Sequence, residues 1–302
     1  MQATNLFHLE CLSMLNFETD YARWRESRLQ NWPDYTTLST IKLKNPLCPS
    51  EDELHALSQQ CEVNNFALYR VDPEHNHKEC VRHLAKAFGL ANLDSHLCAD
   101  NDNVSSLKVM SLGRASGYIP YTNRRLNWHT DGYYNPLDQH IRAFILHCQQ
   151  PAYRGGENML LNHELVYIRL YDEDPALIKA LMQPDALTIP ANIENGVELR
   201  ASQCGPVFYQ DPHTQRLQMR YTARSRSIEW KQDPCLEHAL MRIEQLINED
   251  LALRYTLKAG EGLICNNILH ARSAFTDGNI PDQQRVMYRV RSYDRAFSHI
   301  SV

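Results

Sequence analysis

The sequence predicts an α+β protein with a mainly β core, a sandwich or barrel interrupted by helices. From about Leu107 onward, short apolar runs recur between turn residues, as in LKVMSLG, IRAFILHC and RVMYRVRSY. Such a density of short strands is typical of sandwiches and barrels. Two longer segments within this part have helical spacing instead. No glycine-rich loop follows a strand, so the signature of a dinucleotide- or triphosphate-binding parallel sheet is missing.

The chain before this β-rich part is predicted to divide at about residue 45. Residues 1–45 would form an N-terminal arm, and residues 46–302 would form a single domain. In the arm, FETDYARWRESRLQNWP has apolar and aromatic residues near helical spacing, and Pro33 ends this predicted helix. The next segment, TTLSTIKLK, alternates like a strand.

Two capped helices are predicted at the start of the main domain. Ser50 and Glu53 form a capping box, which predicts a helix from about Glu51 to Cys61. A second helix is predicted from His77 to Phe88, with Gly89 just past its end. Between them, NNFALYRV is predicted to form a short apolar strand.

Two further helices interrupt the β-rich part. One is predicted from about His163 to Met182, with a break near Pro175. The other is predicted from about Pro234 to Glu249, because apolar residues there recur at helical spacing. These apolar residues are Leu236, Leu240, Ile243, Leu246 and Ile247.

Composition narrows the classes of function. Hydrophobic residues make up 43% of the 302 residues and charged residues 22%, which is ordinary for a globular chain. The formal net charge is −5, and a nucleic-acid partner would require a basic surface, so none is expected. No apolar run of about 18 residues and no secretory signal are found, so no membrane partner is expected. The nine scattered cysteines indicate reduced thiols and a cytoplasmic protein.

The segment NWHTDGYYNP contains a candidate pair of metal ligands. His129 and Asp131 are two residues apart, and such residues point to the same face of an extended strand. Far downstream, GEGLICNNILHARSAF places His270 at the end of an apolar strand. Two histidines and one carboxylate on one face of a metal leave three open positions, which suits non-haem Fe(II). Each histidine taken alone could equally have a structural role. The three residues His129, Asp131 and His270 in this order and context are harder to obtain by chance.

An arginine on the next predicted strand adds to this set. Arg285 lies in QQRVMYRVRSY, and its planar guanidinium suits a bidentate, charge-assisted bond to a carboxylate. A surface ion pair is the alternative for this residue. Together with the open metal positions, Arg285 favours a chelating co-substrate that carries a distal carboxylate.

With these residues the chain resembles the TauD/TfdA family of Fe(II)- and 2-oxoglutarate-dependent dioxygenases, in its γ-butyrobetaine, taurine and clavaminate-type branch. The resemblance covers roughly residues 60–295 and is carried by WHTD, PAYRGGENMLLN, the distal His270 and QQRVMYRVR. It implies a double-stranded β-helix, or jelly roll, with helical insertions. It also implies an enzyme that hydroxylates or otherwise oxidises a small polar metabolite, anionic or zwitterionic, using Fe(II), 2-oxoglutarate and O₂, with ascorbate as a stimulant.

The resemblance also implies roles for five residues. His129, Asp131 and His270 would be the iron ligands at the catalytic centre. Arg285 would bind the C5 carboxylate of 2-oxoglutarate. Arg289 matches the position where the taurine enzymes bind the substrate's anionic group. The structural alternative for Arg289 is an ion pair with a protein carboxylate such as Asp131 or Glu157.

One departure from the family pattern concerns the co-substrate. After a Gly-Gly pair the family often has Asp-Thr, and the threonine helps to hold 2-oxoglutarate, whereas this chain has Glu157 and Asn158. An asparagine amide can donate to a carboxylate, so Asn158 is expected to contribute; the alternative is a tight turn that enters a strand. In related halogenases the carboxylate ligand is missing and halide takes its place. The retained Asp131 therefore favours oxygenation or desaturation.

Aromatic and basic residues near the motif are candidates for substrate binding. Four tyrosines near the motif would form a cage for a quaternary ammonium, and ordinary packing is the alternative. These are Tyr118, Tyr121, Tyr133 and Tyr134, with Tyr133 and Tyr134 as the leading candidates. In RLQMRYTARSRSIEW, three arginines would either meet an anionic substrate or form a solvated face. These are Arg220, Arg224 and Arg226.

Two other functions remain open at this point. A non-catalytic 2-oxoglutarate or metal sensor would use the same fold, but no segment resembles an effector module. A zinc hydrolase would use the same three ligands plus water, but would leave Arg285 without a purpose. Succinate formation separates an oxygenase from a sensor, and metal dependence separates it from a hydrolase. The sequence leaves open the identity of the small-molecule substrate and whether the protein is a homo-oligomer.

Overall fold

The computed structural model describes residues 18–30, 35, 38–95 and 102–298, and these form two compact units. Unit 1 contains the described residues of 1–32, 133–138 and 161–252. Unit 2 contains those of 33–132, 139–160 and 253–302. The proposed division into an arm and a main domain at residue 45 stays a prediction.

The helices and strands of the described residues are numbered in chain order. The helices are α1 (Glu18–Gln30), α2 (Glu51–Asn64), α3 (Lys78–Ala87), α4 (His163–Glu173), α5 (Pro175–Leu181) and α6 (Pro234–Asn248). The first ten strands are β1 (Ile41–Lys42), β2 (Phe66–Arg70), β3 (Ser105–Leu107), β4 (Leu126–His129), β5 (Ala143–Gln150), β6 (Arg154–Gly155), β7 (Asn158–Leu161), β8 (Leu187–Ile189), β9 (Asn192–Glu194) and β10 (Val197–Arg200). The remaining strands are β11 (Gln203–Gly205), β12 (Phe208–Gln210), β13 (Leu217–Met219), β14 (Glu229–Trp230), β15 (Leu253–Tyr255), β16 (Glu261–Cys265), β17 (Leu269–Arg272), β18 (Phe275–Thr276) and β19 (Val286–Ser292).

Unit 2 is built on a six-stranded sheet with the order β1-β2-β16-β5-β19-β3. The pairs β2–β16, β16–β5, β5–β19 and β19–β3 are antiparallel, and β1–β2 is parallel. Side chains alternate between its two faces, as the period of two in a strand requires. On one face, Ile145 and Val290 pack with Leu57 of α2 and Leu84 of α3. The helices therefore cover this face of the sheet.

The opposite face of this sheet shares a second apolar core with another sheet, β15-β7-β17-β4. Phe144 and Met287 of the first sheet lie in one cluster with Leu160 and Leu253 of the second. The odd-numbered residues of β19 point into this core, while Val290 packs on the helical face. Unit 2 thus forms the predicted sandwich, and its interior receives the side chains of β19 at positions 287, 289 and 291.

Unit 1 contains the two predicted helical insertions. The break near Pro175 is confirmed: α4 ends at Glu173, and the Asp174 side chain accepts from the Ala176 N–H to begin α5. In α6 the apolar stripe is buried except at Leu240, which is partly exposed, while Ala239 is buried beside it. Three small sheets complete the unit: β11-β8-β14, β9-β10 and β12-β13.

Some predicted boundaries differ from the structure. Helix α2 continues to Asn64, three residues beyond the predicted end, because the left-handed Asn65 (φ 62°) is the residue that ends it. Helix α3 agrees, with the His77 side chain as its cap. The predicted stop of α1 at Pro33 lies outside the described residues. In the segment LKVMSLG only Leu107 belongs to a strand.

Among the described residues, no helix has the length and apolar character needed to cross a membrane.

Candidate metal centre and co-substrate pocket

Two strands of the second sheet in unit 2 bring the predicted metal ligands together. β4 ends at His129, β17 contains His270, and these two histidines face each other in the antiparallel register. Asp131 follows in the turn after β4. One ligand atom from each of the three residues lies within 4.8 Å of the others. The cluster can therefore hold one metal ion, with two imidazoles and one carboxylate as donors.

His270 is not at the end of the apolar strand GEGLIC, where the sequence placed it. That strand is β16, and it ends at Cys265 in the six-stranded sheet. The turn that follows contains Asn267 in a left-handed conformation (φ 50°), and β17 then runs in the second sheet. The change of sheet brings His270 opposite His129.

Main-chain hydrogen bonds fix the orientation of both imidazoles. Nδ1 of His129 donates to the Asn127 carbonyl and Nδ1 of His270 to the Ile268 carbonyl, each at 2.8 Å. A carbonyl only accepts, so Nδ1 carries the proton and Nε2 is left as the ligand atom. These Nε2 atoms lie 3.5 and 4.0 Å from Asp131 Oδ1. The histidines are therefore held in a tautomer that suits metal binding.

Asn267, which the sequence analysis did not single out, holds the third ligand. Its Oδ1 accepts from the Asp131 N–H at 2.7 Å, and its Nδ2 donates to the Asp131 carbonyl at 3.0 Å. Nδ2 also donates to the Ile141 carbonyl. Asn267 is fully buried. The only signal in the sequence is the Asn-Asn pair between two apolar runs, which marks a turn but does not reveal its partner.

The charges of the cluster suit a cation. Burial alone would raise the pKa of the Asp131 carboxyl, but the charges of Arg289 and Arg291 hold that pKa well below its usual range. Burial and, to a smaller extent, the neighbouring His129 lower the pKa of His270 to about 3. At neutral pH Asp131 is therefore ionised and His270 is neutral, which are the protonation states that bind a metal.

A pocket in unit 2 contains the predicted co-substrate residues. Its empty volume is about 210 Å³, part of it open to solvent. Its lining residues are Pro151, Ala152, Gly155, Gly156, Asn158, Thr256, Leu257, Arg285 and Met287. The structure thus brings Arg285 and Asn158 to one pocket.

Arg285 is a buried cation whose head group has no carboxylate partner among the described residues. It is 4% exposed, and its guanidinium lies 5.1 Å from the centre of the Phe275 ring. Burial lowers its pKa to about 10, so it stays charged at neutral pH. A buried guanidinium requires an anion or an array of acceptors. The pocket is therefore suited to a carboxylate, and Arg285 is not a surface ion pair.

The amide of Asn158 is less available than expected. Its Nδ2 donates to the Tyr255 carbonyl at 3.3 Å, because β7 and β15 pair Asn158 with Tyr255. Thr256, the residue after β15, lines the same pocket. No sequence pattern identifies Thr256, since only the pairing of β15 with β7 brings it near Asn158.

The candidate substrate residues are divided between the units. In unit 2, Arg289 is buried, and its Nη1 lies 3.7 Å from Asp131 Oδ2, which is an ion pair without a hydrogen bond. Its Nε has no hydrogen-bond partner among the described residues. In unit 1, the rings of Tyr133 and Tyr134 pack edge to face, with centroids 5.2 Å apart.

Two arginines contact these two tyrosines. Arg224 donates to the Tyr133 hydroxyl at 2.9 Å, and the Arg200 guanidinium lies 5.9 Å from the centre of the Tyr134 ring. These positive charges oppose binding of a further cation, so the arrangement does not favour the ammonium cage that the sequence suggested. An anionic ligand suits it better.

Comparison with known proteins connects this geometry to characterised enzymes. The model of the family "Taurine catabolism dioxygenase TauD, TfdA family" matches residues 30–291. A uridine-5′-phosphate dioxygenase from Streptomyces sp is 30% identical over 238 residues, which cover 75% of this chain and 83% of that protein. A uridine-5′-phosphate dioxygenase from Amycolatopsis sp is 29% identical over 169 residues, covering 54% and 58% respectively.

Solved structures share the fold at lower identity. An asparagine oxygenase in complex with Fe(II), hydroxyasparagine and succinate has a TM-score of 0.59 at 15% identity, covering 94% of this chain and 88% of that one. The non-haem iron oxygenase OrfP with iron and α-ketoglutaric acid has 0.60 at 15%, covering 82% and 81%. A taurine dioxygenase from Burkholderia xenovorans has 0.55 at 17%, covering 84% and 88%. The predicted jelly roll with helical insertions is confirmed.

Proposed function

The chain belongs to the TauD/TfdA family, and from this premise we propose that it oxidises a small metabolite of the nucleoside 5′-monophosphate class. It is a 2-oxoglutarate-dependent dioxygenase that uses Fe(II), 2-oxoglutarate and O₂ and acts on a small polar metabolite. The curated relatives act on uridine 5′-phosphate. Its phosphate monoester matches the anionic group expected from the sequence.

His129, Asp131 and His270 are the proposed iron ligands. The observation that carries this assignment is the convergence of three ligand atoms within 4.8 Å of one another, in the strand pair β4–β17. The ionised carboxylate and the neutral His270 support it, because both are in the state that a divalent metal requires. When bound, Fe(II) would couple two oxidations by O₂: that of 2-oxoglutarate, which gives succinate and CO₂, and that of the substrate.

Arg285 is the proposed anchor for the far carboxylate of 2-oxoglutarate. Its buried, charged guanidinium lines the pocket and has no carboxylate partner among the described residues. Thr256 would add a hydroxyl donor in the same pocket. Asn158 would contribute mainly by fixing the pocket wall, since its amide N–H bonds to Tyr255. In this proposal Thr256, which follows β15, takes the role of the threonine that the family often has after the Gly-Gly pair.

Arg289 is the proposed polar contact for the substrate beside the metal. Its free, buried Nε is a donor that calls for an acceptor. Asp131 already supplies a negative charge at 3.7 Å, so that acceptor need not be charged. A substrate carbonyl or hydroxyl would satisfy it.

A substrate screen tests the proposal. The enzyme with Fe(II), 2-oxoglutarate and ascorbate is given uridine 5′-phosphate, uridine, taurine or asparagine, and succinate is measured. We expect the nucleotide to stimulate succinate release most. Stimulation by taurine or asparagine alone would contradict the nucleotide assignment. Zinc in place of iron should abolish succinate formation, and hydrolysis with zinc would instead support a hydrolase.

A further inference from the structure

Three arginines lie near one another in unit 1. Arg200 ends strand β10, Arg220 follows β13, and Arg224 lies in the next turn. Among the residues that the structure describes, no carboxylate forms an ion pair with any of the three. Arg200 and Arg224 contact the tyrosine pair, and Arg220 is the deeply buried member of the group. We call Arg200, Arg224 and Tyr133 the arginine–tyrosine cluster.

The buried member supplies a fixed positive charge. Arg220 is 2% exposed, and its guanidinium donates to the main-chain carbonyls of Leu187 and Gln203, both at 2.9 Å. Burial lowers its pKa to about 10, and it remains protonated at neutral pH. A charge satisfied only by carbonyl dipoles leaves a positive potential around it. Arg200 lies within range of this charge.

Arg200 and Arg224 keep donors available. Arg200 donates to the carbonyls of Pro190 (2.7 Å), Ala201 (2.9 Å) and Tyr134 (3.4 Å), which fix its head group and leave two of its five N–H donors. Arg224 makes one hydrogen bond, to the Tyr133 hydroxyl, and keeps four. One guanidinium is therefore held in place and the other is adjustable.

This combination fits a phosphate monoester. Such a group carries nearly two negative charges and three strong acceptor oxygens at neutral pH. Planar guanidiniums bind it through paired, charge-assisted hydrogen bonds. The Tyr133 hydroxyl, held by Arg224, adds a further polar group. A carboxylate would use fewer of these donors and would neutralise less of the charge.

We propose that the arginine–tyrosine cluster binds the phosphate monoester of a nucleotide. The inference rests on the proposed function for the identity of the ligand. The contacts that carry it all lie within unit 1.

Calorimetry on the holoenzyme with Fe(II) and 2-oxoglutarate, without O₂, tests the proposal. Uridine 5′-phosphate and uridine are the two probes. The proteins are the wild type and the Arg224→Ala, Arg200→Ala and Arg226→Ala variants. Arg226 is the matched control, because it is an exposed arginine in the same turn as Arg224 and makes no described contact with Tyr133. Succinate formed without any primary substrate reports whether each variant keeps its iron site.

We expect Arg224→Ala and Arg200→Ala each to weaken the nucleotide about tenfold or more, the loss typical of a charged hydrogen bond. Uridine binding should change little, and Arg226→Ala should behave as wild type. The proposal would be overturned if the wild type and Arg224→Ala bound the nucleotide equally well. It would also be overturned if the wild type bound the nucleotide no more tightly than uridine. Neither result contradicts the dioxygenase function as long as iron-dependent succinate is still formed. Arg224-dependent nucleotide binding without succinate formation would instead contradict the proposed function.

Discussion

The metal centre in unit 2 and the arginine–tyrosine cluster in unit 1 hold their polar side chains by different means. In the metal centre, main-chain carbonyls orient both histidines, and Asn267 holds Asp131 through two hydrogen bonds and makes a third to Ile141. In the cluster, Arg224 lies in an exposed turn and makes one hydrogen bond. A reaction centre requires fixed geometry, whereas ligand recognition tolerates an adjustable contact. The rigid centre is therefore suited to chemistry, and the adjustable cluster is suited to ligand recognition.

The largest expected effect is loss of a metal ligand. His270→Ala should cut Fe(II) affinity and reduce turnover by about a thousandfold or more, because two remaining ligands cannot hold the ion with its open positions. Metal titration and succinate release measure this. His55→Ala, which removes an exposed histidine on α2, is the control. Wild-type iron affinity in His270→Ala would show that the metal lies elsewhere.

The co-substrate anchor should come next. Arg285→Lys keeps the positive charge but loses the planar fork, so the KM for 2-oxoglutarate should rise about tenfold to a hundredfold. Arg254→Lys, at a partly exposed arginine that pairs with Glu157, should leave this KM unchanged. If both variants keep the wild-type KM, the carboxylate binds to another residue.

Substitution of Asn267 tests whether the rigidity of the metal centre affects iron binding. Asn267→Ala leaves the Asp131 N–H and two carbonyls without partners, and should lower the free energy of unfolding by about 2–3 kcal/mol. It should also weaken iron binding. Asn266→Ala removes the neighbouring buried amide, which bonds to the Ala296 N–H. It should destabilise without changing iron affinity, and an equal loss of iron affinity in both variants would contradict the positioning role.

The smallest effect is expected at Thr256. Thr256→Val keeps the shape but removes the hydroxyl, and one neutral hydrogen bond at an open pocket should raise the KM for 2-oxoglutarate about threefold. The control is Thr276→Val, at an exposed threonine of β18. A KM that rises in Asn158→Ala but not in Thr256→Val would return the donor role to the asparagine.

The features that could be predicted from the sequence are those that depend on local geometry. The spacing of His129 and Asp131 was informative because the period of a strand puts such residues on one side. Pro175 and the Ser50–Glu53 pair marked helix boundaries for equally local reasons. These features need no knowledge of how distant segments pack.

The remaining features depend on packing between distant segments. The β7–β15 register places one amide N–H of Asn158 against the Tyr255 carbonyl, and the role of Asn158 toward 2-oxoglutarate stays a prediction. Asn267 contacts Asp131 across 136 positions of sequence. Likewise, the short contact between Arg289 and Asp131 arises from two facing sheets. No spacing in the sequence predicts these distances.

The two buried arginines of strand β19 affect how the protein folds. Arg289 and Arg291 point into the same interior, and like charges about 7 Å apart repel by roughly 2 kcal/mol in a protein environment. Asp131 lies against the first, and Asp94 accepts hydrogen bonds from the second. The strand therefore cannot dock stably before both carboxylates arrive from distant parts of the chain. Closure of the sandwich and assembly of the metal-binding carboxylate become one cooperative folding event.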